Sequence, residues 1–178
     1  MLDEFKSFFN EVHESLLRGV EEKLLAENLI LEINSSKHAY NVPIKEVNTK
    51  VMKAILSLAS PQQKDYFMET LKHLKYTLPI IQNYIKSNDS QIDGIYSIEE
   101  FYLENEDSLQ AIVFIKILKF LYDEDIFEEE TILKWYNKPN ILPDFDLEDQ
   151  KRLRNQRECS LFINWLNEAE EESSDETD

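Results

Sequence analysis

The stretch Phe5 to Leu16, FKSFFNEVHESL, sets Phe5, Phe8, Phe9, Val12 and Leu16 at i, i+3, i+4, i+7 and i+11. That spacing lines one face of an α-helix and does not fit a strand, whose side chains alternate with period two. The helical period continues outward along the chain. Val20, Leu24, Leu25, Leu29 and Ile33 form a second stripe; Val47, Val51 and Ile55 form a third. Tyr66, Phe67, Leu71 and Leu74 follow, and then Ile92, Ile95, Ile98 and Tyr102. Ala111 to Leu121, AIVFIKILKFL, is apolar almost all round, as a central buried helix would be. Glu128 to Tyr136 reads as a short helix and Leu147 to Leu166 as the last, with Leu153, Phe162, Ile163 and Leu166 inward. Gly19 is placed to end or loosen the first helix. Pro43 and Pro61 each fit a first helical position, Pro61 after Ser60 as N-cap. Pro79 is expected to break its segment, and Ser87 to Ser90 and Asn137 to Asp146 to be loops. The fold class is all-α: about eight helices in stacked antiparallel pairs, too many for a four-helix bundle. No repeat is visible at the level of sequence.

The chain has 178 residues, 2 glycines and 1 cysteine. So few glycines exclude a phosphate loop or a dinucleotide fingerprint. Lone Cys159 excludes a disulfide framework and fits a reducing compartment, so a cytoplasmic location is expected. No apolar run approaches the ~20 residues of a membrane span. The N-terminal MLDEFKSFFN is acidic and amphipathic, unlike a signal or transit peptide. The net charge is -17, which makes nucleic acid and anionic membrane poor partners and a basic protein segment the natural one. The charge is uneven: residues 123–178 hold 18 acids and 6 bases. Asp123 to Glu130, DEDIFEEE, and Glu168 to Asp178, EAEEESSDETD, dominate it. Lys151, Arg152, Arg154 and Arg157 form a compensating basic patch between them. Aromatic and aliphatic residues are woven through the first run, which a merely solvating stretch would not need. Residues 168–178 are expected to be a disordered acidic tail on a helical domain spanning 1–167.

Catalytic bond-making has no visible apparatus. His13, His38 and His73 are scattered, and none stands at a metal-ligand spacing from Cys159. Counted as a calcium loop from Asp123, position six is Glu128 where Gly is needed and position twelve is Lys134 where Glu is needed. No cofactor and no metal are expected.

The residues further resemble a known family. Phe9-Asn10-Glu11-Val12 with Leu16-Leu17-Arg18-Gly19, and Asn28 to Ser35 with Ala39-Tyr40-Asn41, are similar to the first two helices of the C-terminal catalytic domain of the epsilon subunit of eukaryotic translation initiation factor 2B. Leu121 to Ile126, Glu128-Glu129-Glu130, Ile132-Leu133 and Trp135-Tyr136 resemble its first acidic-aromatic box. Phe162 to Leu166 with Glu168 to Ser174 resemble the second. Residues 60–95 carry little of the likeness. Initiation factor 5 has a similar helical domain, and the motif around Glu11 and Leu29 to Asn41 separates the two. Nothing like the rest of the epsilon subunit is present, so the chain reads as a C-terminal piece of a longer subunit.

The resemblance implies an α-solenoid of HEAT type that releases GDP from initiation factor 2, with no bond chemistry of its own. It implies exchange-critical roles for Glu11 and Trp165. It implies that Tyr122, Asp123, Glu124, Asp125, Glu128, Glu129, Glu130 and Trp135, with Glu168, Glu170, Glu171 and Glu172, bind the lysine-rich beta subunit. The gamma-subunit GTPase and the other subunits of 2B are the further partners implied. Read without the family, Glu11 is an ordinary helix glutamate, Trp165 serves stability and binding alike, and Trp135 and Tyr136 are core residues that hold the acidic turn. Two other functions fit the same residues: a docking module like initiation factor 5 without exchange, and a non-catalytic helical scaffold for basic partners.

Overall fold

A computed structural model describes residues 2–104, 108–138 and 142–175. They hold nine helices and no strand: α1 Leu2–Glu22, α2 Ala26–Ala39, α3 Ile44–Leu56, α4 Tyr66–Tyr84, α5 Asn88–Glu104, α6 Ser108–Asp123, α7 Glu129–Asn137, α8 Leu147–Arg154 and α9 Arg157–Asp175. None of these helices is long and apolar enough to cross a membrane. The contacts group the chain into two compact units, residues 1–101 and 102–178.

In the first unit α1 packs on α2 and α3, and α4 packs on the same two helices. This is the stacking of helical hairpins, of HEAT type. The stripe read from the sequence is the buried one: Phe8, Val12 and Leu16 of α1 meet Leu29 and Ile33 of α2 and Val47, Val51 and Ile55 of α3 in the core. Gly19 does not end α1. It is buried, and a Cβ there would lie 2.7 Å from Leu29 Cδ1 and 3.0 Å from Cδ2. Its missing side chain is what lets α2 close on α1. The helix ends at Lys23, in the left-handed region at φ 55°, where Leu24 N–H donates back to the Gly19 carbonyl at 3.0 Å. Asn41 ends α2 the same way at φ 51°, with Val42 N–H donating to the Lys37 carbonyl at 3.1 Å; Pro43, expected at a first helical position, is instead the extended N-cap residue of α3, which begins at Ile44. Asparagine adopts this conformation more readily than most residues.

Three further expectations are corrected. Pro61 lies in a turn and α4 begins at Tyr66; Ser60 Oγ donates to Gln62 Oε1 at 2.7 Å instead of capping a helix. Pro79 sits inside α4 without ending it. It is exposed there, while Ile80, Ile81 and Tyr84 beyond it are buried. Residues 87–90 start a helix: Ser87 Oγ accepts from Ser90 N–H at 3.2 Å, an N-cap bond. Lys53 Nζ then ties α3 to Glu100 of α5 at 3.1 Å.

In the second unit α9 is the helix that packs on each of α6, α7 and α8. The apolar α6 buries Val113, Phe114, Ile115, Ile117, Leu118 and Leu121 and turns Lys116 and Lys119 outward. The single last helix expected from Leu147 is two, because Asn155 closes α8 by donating its N–H to the Lys151 carbonyl at 2.8 Å. α9 continues through Asp175, beyond residue 168 where the acidic tail was expected to begin. Residues 139–141 of the expected loop and 176–178 of the tail lie outside the described residues.

Tyr84 gives a pH test of this packing. Its hydroxyl donates to Asn34 Oδ1 at 2.7 Å, joining α4 to α2, and burial pushes its pKa from 10.0 up to about 12. A folded pKa raised above the unfolded one means stability that is complete below about pH 10 and lost as pH rises toward 12. Urea denaturation of wild type is expected to show this alkaline loss. Tyr84→Phe is expected to show a shallower one, from a lower starting stability, since Asn34 loses its partner at about 1–2 kcal/mol.

Candidate functional site

The acidic run is built on the turn that joins α6 to α7. Asp125 takes the left-handed conformation at φ 60°, and the Leu121 carbonyl accepts both Ile126 N–H at 2.9 Å and Phe127 N–H at 3.3 Å. Ile126 and Phe127 are buried, so the turn is nailed to the core. The carboxylates around it divide by the helix they meet. Glu128 is the N-cap residue of α7, and Glu129 and Glu130 lie in its first turn, where the helix dipole favours negative charge. Asp123, Glu124 and Asp125 crowd the carbonyl end of α6, where the dipole opposes them. No basic residue occupies the last turn of α6 to relieve them. The six acids of the run are therefore split between a favourable and an unfavourable helix end.

Tyr122, Asp123, Asp125, Phe127, Glu128 and Glu129 line one open cleft. Glu129 Oε1 is buried there without a hydrogen-bond partner. Desolvation holds the Glu129 carboxyl above its ordinary value, and the negative charge of Glu170 adds to the shift. Tyr122 is raised as well, by burial first and then by the charges of Glu129, Asp123 and Asp125. α9 brings the second acidic run beside the first. Glu130 and Glu170 line a neighbouring groove between α7 and α9, and Glu130 also pairs with Lys134 at 2.9 Å. Glu124 is exposed on the same turn as the cleft without lining it, and Glu168, Glu171 and Glu172 are exposed along the last turns of α9. Ser173 Oγ and Ser174 Oγ donate to the carbonyls of Glu170 and Glu171, at 3.0 and 2.8 Å, and so occupy acceptors near that helix end.

The two tryptophans differ. Trp165 is 50% exposed, stands edge-on to Tyr122 at 5.8 Å and stacks on Phe162 at 6.2 Å. The acidic cleft therefore runs, through Tyr122, into an aromatic surface that also carries Leu161, 57% exposed. Trp135 is wholly buried, with Phe114 at 5.6 Å and the Arg154 guanidinium 4.6 Å over its ring. Trp135, expected from the resemblance to bind a partner, thus has no surface open to solvent and packs beneath α7 as a core residue. Arg154, read from sequence as part of a compensating basic patch, is 3% exposed and donates to the Tyr136 carbonyl at 3.3 Å.

Glu11 belongs to the first unit. It is exposed on α1, and each of its oxygens accepts a hydroxyl proton from α2: Oε2 from Ser36 and Oε1 from Tyr40, both at 2.7 Å. Ser36 first, and then Tyr40, hold its carboxyl below the usual range. In return the Tyr40 hydroxyl is raised, chiefly by that hydrogen bond. Sequence reading did not find these two partners. Their spacing of four residues puts both on one face of α2, but nothing local says which face meets Glu11. Among the described residues no group of histidine, cysteine and carboxylate side chains is arranged to hold a metal ion.

Comparison with known proteins adds a family. Residues 90–176, which take in α6 to α9 and most of α5, match the W2 domain, described as eIF4-gamma/eIF5/eIF2-epsilon. The chain is 34% identical over 174 residues to a Dictyostelium discoideum protein named translation initiation factor eIF2B subunit epsilon, covering 93% of this chain and 23% of that protein. It is 27% identical over 177 residues to human eIF5-mimic protein 2, covering 97% of this chain and 39% of the relative. It is 24% identical over 168 residues to the Drosophila melanogaster protein krasavietz, covering 93% and 38%. The chain thus spans well under half the length of these relatives. The match extends past the W2 segment into α1 to α4 in all three.

The charge arrangement at the end of α6 has a measurable consequence. The triple variant Asp123→Asn, Glu124→Gln, Asp125→Asn is expected to be more stable than wild type at low salt. Each removed charge relieves about 0.3–1 kcal/mol of unfavourable dipole interaction. The gain should shrink in urea titrations at 0.5 M salt, where screening is nearly complete.

Proposed function

We propose that this chain is a guanine-nucleotide exchange domain that promotes GDP release from translation initiation factor 2, and that it docks the lysine-rich beta subunit of that factor through the acidic-aromatic surface of α6, α7 and α9. The observation that carries the docking half is the cleft of Tyr122, Asp123, Asp125, Phe127, Glu128 and Glu129, with a carboxylate oxygen buried and unpartnered in it. Carboxylates held against a helix dipole and against one another gain most from a cation. Lysine ammonium groups are compact point charges that suit such a surface. Each exposed pair contributes only about 0.2–1 kcal/mol. The number of acids brought together compensates, and their field speeds encounter. The W2 match, and relatives named for eIF2B and for eIF5, support this docking role.

The exchange half rests on Glu11 and Trp165, both exposed to solvent. Exchange needs no bond chemistry. It needs a surface that binds the nucleotide-free GTPase more tightly than the GDP-bound one. A fixed carboxylate such as Glu11 can do this by competing with phosphate for a lysine of the GTPase, or by repelling the oxygen ligands of its magnesium ion. The half-exposed Trp165 supplies the large, rigid apolar contact that binding surfaces use as an anchor. A second reading is docking without exchange, favoured by the likeness to eIF5-mimic protein 2 over 97% of this chain.

Two outcomes test the proposal. Glu11→Ala should lose GDP release from purified initiation factor 2 while keeping its affinity for a lysine-rich peptide and its melting temperature. Retention of full release removes Glu11 from the site. The triple variant neutralised at 123–125 should bind that peptide more weakly than wild type despite its higher stability. Wild-type binding should fall steeply between 50 and 300 mM salt, where the Debye length shrinks through about 8 Å. Binding indifferent to both changes would reduce the acidic surface to a solubilising one.

A further inference from the structure

We propose that Ser36 and Tyr40 are positioning residues that hold the Glu11 carboxylate in the one orientation its partner reads. The inference rests on the exchange reading of Glu11 and goes beyond it. An exposed glutamate ordinarily samples several rotamers, and fixing them on binding weakens the interaction. Here the side chain is clamped at both oxygens by two donors one helical turn apart. A carboxylate has about four lone-pair sites and two are used, so each oxygen keeps an acceptor site for a further donor. The clamp itself is rigid. Tyr40 closes α2, its N–H donating to the Ser36 carbonyl at 3.0 Å, and the left-handed turn at Asn41 with buried Val42 pins it from the other side.

Alignment of α1 with α2 does not require the clamp. Gly19 against Leu29 sets the approach of the two helices in the core, and Arg18 pairs with Glu32 along the same seam. Two hydroxyls spent on an exposed carboxylate therefore serve the carboxylate more than the fold.

The test uses Ser36→Ala, Tyr40→Phe and Ser36→Thr in this chain, with GDP release from purified initiation factor 2 followed at varied domain concentration. Both hydroxyl deletions should leave melting unchanged and lower the maximal release rate roughly two- to tenfold, with half-saturation little altered. Ser36→Thr, which keeps the hydroxyl, should keep the rate. Carbon NMR of the Glu11 carboxyl should show its titration moving to higher pH in Ser36→Ala and Tyr40→Phe but not in Ser36→Thr. Wild-type rates in both deletions, or losses that only follow a lowered melting temperature, or an unmoved titration, would overturn the positioning role. These results leave the exchange reading standing where Glu11→Ala is inactive. Full activity of Glu11→Ala would overturn both.

Discussion

The turn from Leu121 to Phe127 is the constraint on which the acidic surface depends. Six carboxylates within eight residues repel one another, and three of them face the unfavourable end of a helix dipole. Left to themselves they would fray the end of α6. Ile126 and Phe127 prevent this by being buried, and the Leu121 carbonyl fastens both of their N–H groups. Burial of two such side chains contributes roughly 1.5–3 kcal/mol each, more than the dipole term at any one acid. The apolar residues interleaved with the acids thus act as anchors for a charge arrangement that would not persist alone. Trp135 and Arg154 extend the anchorage beneath α7.

Charge set against its own fold is a sign of a surface built for a partner. The first unit shows the complementary device. Glu11 is a single carboxylate stabilised in its charged form by two hydroxyls. One unit presents a diffuse, frustrated negative field and the other a single oriented charge. The first suits recognition of a flexible lysine-rich segment. The second suits a contact with defined geometry.

Much of this was legible in the sequence, and the gaps have physical causes. The stripe Phe8, Val12, Leu16 is local, set by period, and it appears as read. Gly19 was misread because glycine at a helix end and glycine at a close helix crossing look alike until Leu29 is seen against it. Pro79 was misread because its cost depends on whether the freed carbonyl reaches water, which only the packing decides. Ser87 was misread because the residues that favour loops also cap helices. At the site, the acidic runs were plain as runs of charge. The approach of Glu170 to Glu129, and of Ser36 and Tyr40 to Glu11, spans 25 to 41 residues and is written in no local pattern.

The central claim is that this chain catalyses exchange and does not merely dock. Release of labelled GDP from purified initiation factor 2 in excess unlabelled GDP, with the wild-type chain present at one-twentieth of the factor's concentration, tests it most directly. The account predicts that all of the bound nucleotide leaves at an accelerated rate, each chain turning over many times. Release at the spontaneous rate, under conditions where the chain demonstrably binds the factor, would contradict it.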